Sequence, residues 1–146
     1  MTASPSSILI INIRLIGDVI LTTPLIDILK NAFPDAAIDF LVNRGTGEFL
    51  EKDPRVRRVI YSEKGSVAAG GAREGGYLRD IFRRYDLAIN MNASDRGSFA
   101  ALLAGTKTRV GFFVGDRWYT RLWKRLLFDH LIPMPYSTHV ALLSKL

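Results

Sequence analysis

Apolar and polar positions come in blocks along this chain, and the first block sets the pattern. Residues 7–13, SILIINI, form a nearly unbroken apolar run rich in isoleucine. That is how a strand buried on both faces of a parallel sheet reads. A short segment passes through Gly17 and Asp18. Leu25, Ile26, Ile28, Leu29 and Phe33 then recur at helical spacing, with Asp27, Lys30 and Asn31 between them. Strand, glycine-containing turn and helix make the opening unit of a doubly wound α/β domain. Pro24 leaves two readings of that helix open. Either one helix begins near Asp18 and is kinked by the missing amide, or a fresh helix starts with Thr23 as cap and Pro24 as first residue.

The same alternation continues. Residues 37–42, 56–61, 86–91 and 109–113 read as strands, with Val59, Ile60 and Tyr61 the best β-formers of their run. Between them, residues 45–54 predict one or two helical turns around Phe49 and Leu50. Residues 77–84 predict a short helix with Leu78, Ile81 and Phe82 inward. Residues 98–104 predict another, stopped by Gly105. Residues 116–128 carry Trp118, Leu122 and Leu126 at four-residue spacing, beside a parallel row of Arg117, Arg121 and Arg125. This too predicts a helix. Pro133 and Pro135 interrupt the pattern, and Ser137 or Thr138 then caps a helix from His139 to the chain end. Residues 63–76 hold five glycines without Gly-x-Gly-x-x-Gly spacing, so they predict a surface loop rather than a phosphate cradle.

At 146 residues this is one domain, 1–146, able to bury roughly 68–70% of its unfolded surface. Cysteine is absent, which removes disulfides, thiolate metal sites and cysteine nucleophiles. His130 and His139 are the only histidines, too few for a histidine-rich metal centre. The first apolar block contains Asn12, Arg14 and Asp18, and a charge at mid-bilayer costs roughly 2.5–3.5 kcal/mol, so neither a signal peptide nor a membrane span is predicted. The expected location is the cytosol.

The net charge is +6 and unevenly spread. Lys107, Arg109, Arg117, Arg121, Lys124 and Arg125 face one acidic residue, Asp116, with Trp118, Tyr119 and Trp123 among them. A basic, aromatic stretch implies an anionic partner: nucleic acid, a phospholipid surface or a phosphorylated substrate. It also fits a solvated face beside an amphipathic helix.

In an open α/β sheet, ligands bind beyond the carboxyl ends of the strands. The first charged residues there are Arg14 and Asp18. An aspartate at a helix start is most often a cap for free amides. Here Arg14, four residues earlier, is placed to hold an anion alongside, and the carboxylate is placed to take a proton from a hydroxyl nucleophile. Both neighbours favour the charged carboxylate, so positioning and desolvation must supply what basicity does not.

The run ILIINIRLIGDVILTTPLIDILKNAFPDAAIDFLV resembles the start of glycosyltransferase family 9, the ADP-heptose:lipopolysaccharide heptosyltransferases, above all the branch adding the third inner-core heptose. The match lies in Arg14, Gly17-Asp18, Thr22-Thr23-Pro24 and the motif from Pro34 to Asp39, with weaker matches at residues 85–90 and 106–111 and at His139. Where the family shows His-x-Val-Glu, this chain has His139-Val140-Ala141-Leu142, so no role is assigned to His139. The resemblance implies a GT-B enzyme of two Rossmann-like domains, of which this chain is the N-terminal, acceptor-binding one. It implies inverting heptosyl transfer with Asp18 as general base and Arg14, Gly17, Lys107, Arg117 and Arg121 on the acceptor side. The acceptor would be the phosphorylated Kdo/heptose inner core at the cytoplasmic face of the inner membrane, without nucleic acid. No metal or cofactor is called for; ADP-heptose would bind the absent C-terminal domain, so the chain alone would be inactive.

Two rivals differ in class. A dinucleotide-binding oxidoreductase fits the opening topology, but its turn has one glycine where three are needed, and no Walker-type loop is present. A non-catalytic binding module would use residues 107–125 on nucleic acid or an anionic membrane, lose affinity steeply with salt, and ignore Asp18.

Overall fold

The structure is a computed structural model that describes residues 4–62, 76–92, 94–113 and 118–133. The predicted loop at 63–76, apart from Gly76, and the predicted helix from His139 lie outside the described residues, as does Arg117.

Six strands form one parallel sheet: β1 (Ser7–Asn12), β2 (Ala37–Asn43), β3 (Val56–Ser62), β4 (Tyr85–Asn90), β5 (Gly105–Phe113) and β6 (His130–Pro133). Their order is β3-β2-β1-β4-β5-β6, the doubly wound arrangement expected. The helices are α1 (Ile16–Leu21), α2 (Pro24–Ala32), α3 (Gly76–Ile81), α4 (Asp95–Ala104) and α5 (Trp118–Leu127), with a 3-10 turn at Glu48–Lys52 that buries Leu50. No described helix is long and apolar enough to cross a membrane.

The isoleucine run does what its composition requires. Ile8, Leu9, Ile10 and Ile11 are fully buried because β1 lies mid-sheet with helices on both faces. Ile8 and Ile10 join Phe40, Val19, Ile26 and Leu29 in one core layer. Leu9 and Ile11 join Leu41, Ile81, Ala100, Ala101 and Phe128 in the other. Close approaches set some glycines: a Cβ on Gly111 would lie 2.8 Å from the Phe128 ring.

Of the two readings at Pro24, the second holds: it opens α2, after α1 has ended at Thr22. Thr23 occupies the cap position, yet its hydroxyl donates back to the Ile20 carbonyl at 2.8 Å instead of capping α2. Three other readings change, the first being Phe82, expected inward but 54% exposed beyond the end of α3. The strand predicted at 109–113 begins at Gly105, its first turns masked in sequence by solvated Thr106 and Lys107. Residues 130–133, passed over because of Pro133, form an edge strand, where a proline is tolerated.

Candidate functional site

Strand order reverses at β1, so the crevice lies beyond the carboxyl ends of β1 and β4. The chain leaves β1 through Ile13 and Arg14, turns at Leu15 (φ −71°, ψ 159°) and enters α1. Leu15, not Asp18, holds the cap position of α1. Asp18 sits in the first turn, and its described hydrogen bond comes from Arg14, Nε to Oδ2 at 2.8 Å. The side chains of Arg14 and Asp18 are 59% and 24% exposed. The carboxylate therefore faces outward and keeps an oxygen open, and the arginine engages it through Nε alone.

Two asparagines fix this corner from below. Asn12, buried at the end of β1, donates from Nδ2 to the Asp18 carbonyl at 3.0 Å. Thr22 donates to the Val19 carbonyl at 2.7 Å and lies 3.5 Å from the same Asn12 nitrogen. Asn43, at the end of β2, donates to the Arg14 carbonyl at 3.4 Å. Main-chain atoms are held and the charged side chains are left facing out, which is what positioning a reactive group requires. Gly17 adds to this. A Cβ there would meet nothing within 4 Å and its φ is not positive, so neither packing nor backbone demands a glycine. The space beside its main chain is open.

The same edge collects further amides. Asn90 ends β4, its Oδ1 accepting from the Asn92 amide at 3.0 Å and its Nδ2 reaching Ser98 at 3.4 Å. Arg96 reaches across to Ser62 at the end of β3, 2.6 Å away. Among the described residues, four buried side-chain atoms have no hydrogen-bond partner: Oδ1 of Asn12, Oδ1 of Asn43, and both polar atoms of Asn92. All lie at this edge, although such a group typically costs 1–3 kcal/mol. Sequence reasoning missed these residues; the available signal was that β1, β2 and β4 each end on asparagine.

The other expected binding residues divide. The first turn of α5 follows the carboxyl end of β5, two strands or about 10 Å from β1, so the stretch bearing Arg121 starts on the same edge. The Arg121 side chain and all of Arg117 lie outside what is described. Lys107 is not brought to the corner. Its neighbour Thr108 is level with Leu87 and, one strand on, with Ile8, which puts Lys107 about 16 Å back toward the amino edge. There it pairs with Asp86 at 2.9 Å, beside a cavity of about 310 Å³ lined in part by Ser4, Phe33 and His130. Lys107, with hydrogen bonds from Ser6, holds the Asp86 carboxyl down to about 2.

Asp39, the last residue of the Pro34–Asp39 motif, is also an amino-edge residue. It is fully buried, gripped by Arg57 through two bonds of 2.9 and 2.7 Å and by the Tyr85 hydroxyl at 2.6 Å. Burial, then the bond to Asp39, pushes the Tyr85 phenol up to about 12. Among the described residues, no group of three His, Cys, Asp or Glu is placed to hold a metal ion.

No family model matches the chain. It is 30% identical over 128 residues to lipopolysaccharide heptosyltransferase 3 of Escherichia coli (strain K12), a match covering 86% of this chain and 36% of that protein. Its fold matches the crystal structure of the glycosyl transferase family 9 from Veillonella parvula DSM 2008, with a TM-score of 0.73 and 20% identity over 95% of this chain and 39% of that one. It also matches the E. coli heptosyltransferase WaaC with ADP-2-deoxy-2-fluoro heptose, with a TM-score of 0.74 and 18% identity over 95% and 46% of the respective chains. The chain thus spans a little over a third of the length of the curated relatives it matches. By sequence the chain is similar to lipopolysaccharide heptosyltransferase 3 over most of its own length, and its fold is that of the matching part of the glycosyl transferase family 9 structure.

Proposed function

We propose that this chain is the N-terminal, acceptor-binding half of an inverting glycosyltransferase that moves heptose from ADP-heptose to the lipopolysaccharide inner core. The observation that carries the reading is the Arg14–Asp18 pair, outward-facing at the reversal point of the sheet with its main chain clamped by Asn12 and Asn43. In the reaction, an acceptor hydroxyl donates to Asp18. Its oxygen attacks the anomeric carbon from the face opposite the leaving group as the bond to the diphosphate breaks. ADP leaves with the electron pair, and Asp18 keeps the proton. Arg14 offers its unengaged guanidinium nitrogens to a Kdo carboxylate or a phosphate, which an arginine can grip bidentately. Gly17 leaves space for the sugar. Arg117 and Arg121 are proposed to add their positive charge to acceptor binding.

The donor would bind a second Rossmann-like domain, so this chain alone should lack transfer activity. The setting would be the cytoplasmic face of the inner membrane, with no nucleic acid involved. The test is Asp18→Asn in a two-domain form. Transfer should fall by about 10²–10⁴-fold, the typical contribution of a positioned base, with acceptor affinity largely kept. Wild-type turnover in that variant would overturn the assignment. Titration calorimetry on the chain itself should detect inner-core fragments and not ADP.

A further inference from the structure

The asparagines at the carboxyl edge form a row, and strand register shows it. Asn43 is level with Ser62, and Asn12 with Val42, so Ile13 stands beside Asn43. On the other side of β1, Ile11 is level with Asn90. The ladder runs one residue further, because the Met91 amide donates to the Ile11 carbonyl at 2.9 Å. Asn92 is therefore level with Ile13. Asn43 and Asn92 flank the residue before Arg14, one strand away on either side and about 10 Å from each other. At its β3 end the row stops at Ser62, whose hydroxyl already accepts from Arg96 at 2.6 Å.

The fold does not use these amides fully. Asn12 donates from Nδ2 to the Asp18 carbonyl, and Asn43 from Nδ2 to the Arg14 carbonyl. Turning either amide over would set oxygen against oxygen, so each Oδ1 is held facing no donor. Asn92 is 1% exposed and neither polar atom of its side chain bonds to the protein. Such burial is destabilising, and a fold under no other demand places apolar side chains there. An added molecule that bonded these atoms would offset the cost.

The atoms themselves select the molecule. Three are acceptor oxygens, one is an amide nitrogen, and none is charged. Carboxylate or phosphate oxygens would be repelled by the three acceptors. Hydroxyls both donate and accept, and a carboxamide offers its oxygen and nitrogen side by side to two of them.

We propose that Asn92, together with Oδ1 of Asn12 and of Asn43, forms an uncharged subsite for the hydroxyls of a neutral sugar unit in the acceptor. This rests on the acceptor-binding reading above and deepens it. Arg14 would take the charged groups of the acceptor, and the asparagine row would recognise its hydroxyls.

The test pairs stability with binding in Asn92→Leu, a change of similar volume. The Asn92 side chain gives the free protein no hydrogen bond, so the urea midpoint should hold or rise. Titration calorimetry of the chain with a deacylated inner-core fragment should show affinity about tenfold weaker than wild type, the loss of one or two hydrogen bonds. Asn92→Ala should weaken binding similarly, and covers the case in which leucine does not fit. The ratio of wild-type to variant affinity should stay the same after phosphatase treatment of the fragment, because the row takes hydroxyls. Unchanged affinity in both variants would overturn the subsite and leave the row to ordered water. So would a ratio that vanishes on dephosphorylation, or a midpoint lowered in both variants. Wild-type protein that binds neither form of the fragment would reject the acceptor reading along with the subsite. Binding that ignores Asn92 would reject the subsite alone.

Discussion

The sheet carries an arginine–aspartate pair at each end, and the two differ in almost every physical respect. At the amino edge, Asp39 is fully buried, takes two bonds from Arg57 and a third from Tyr85, and ties β2 to β3 and β4. At the carboxyl edge, Asp18 takes one described bond from an arginine that is 59% exposed. The first carboxylate has spent its hydrogen-bonding capacity on the fold and has no room to act on another molecule. The second contributes little to the fold, since exposed pairs are worth about 0–1 kcal/mol, and so is available for chemistry. Saturation of a charged group, not the identity of the pair, separates a brace from a candidate reactive site.

The largest effect should come from breaking the brace. Asp39→Ala leaves the buried Tyr85 hydroxyl without its acceptor while the half-exposed Arg57 turns to water, and should lower unfolding free energy by about 1–3 kcal/mol, read from the urea midpoint at constant m-value. The matching change at the other edge sharpens the contrast: Asp18→Asn should stay within about 0.5 kcal/mol of wild type in the same melt. A loss of several kcal/mol there would recast Asp18 as structural.

Acid titration probes the amino edge again, through Asp86. Its pKa lies lower in the folded state than its ordinary value, so its contribution is present above pH 4 and is lost as pH falls toward about 2. The loss should be on the order of 1 kcal/mol, because the Lys107 partner is 57% exposed, and Lys107→Met should flatten that limb of the stability–pH curve. Smallest is Gly17→Ala. It meets no atoms within 4 Å, so it should stabilise α1 by about 0.5 kcal/mol while weakening acceptor binding in calorimetry. An alanine variant that binds acceptor normally would remove the ligand-approach explanation of this glycine.

Much of this architecture could be read from periodicity. The strands at 7–13, 37–42, 56–61 and 86–91 match β1 to β4 within a residue or two: β1 and β2 because a strand covered on both faces is mostly apolar, and β3, an edge strand with exposed Arg57 and Arg58, through its β-formers Val59, Ile60 and Tyr61. β6 escaped because four half-exposed edge residues ending in proline carry no such signature. At the site, Arg14 and Asp18 were legible from their place after the first strand. Asn12, Asn43 and Asn92 were not, since a carboxamide's role depends on which carbonyl lies opposite it.

Sequence by itself determined the parallel sheet, its opening strand-turn-helix unit and the position of the charged corner, since these follow from local apolar spacing and chain connectivity. Tertiary structure decided the rest. It placed Lys107 and Asp39 on the edge away from the crevice, because distance along the strands shows only once their register is fixed. It also turned Leu122 and Leu126 of α5 outward and Lys124 inward, because a helical pattern defines a face but only packing against β5, β6 and α4 selects which face is covered.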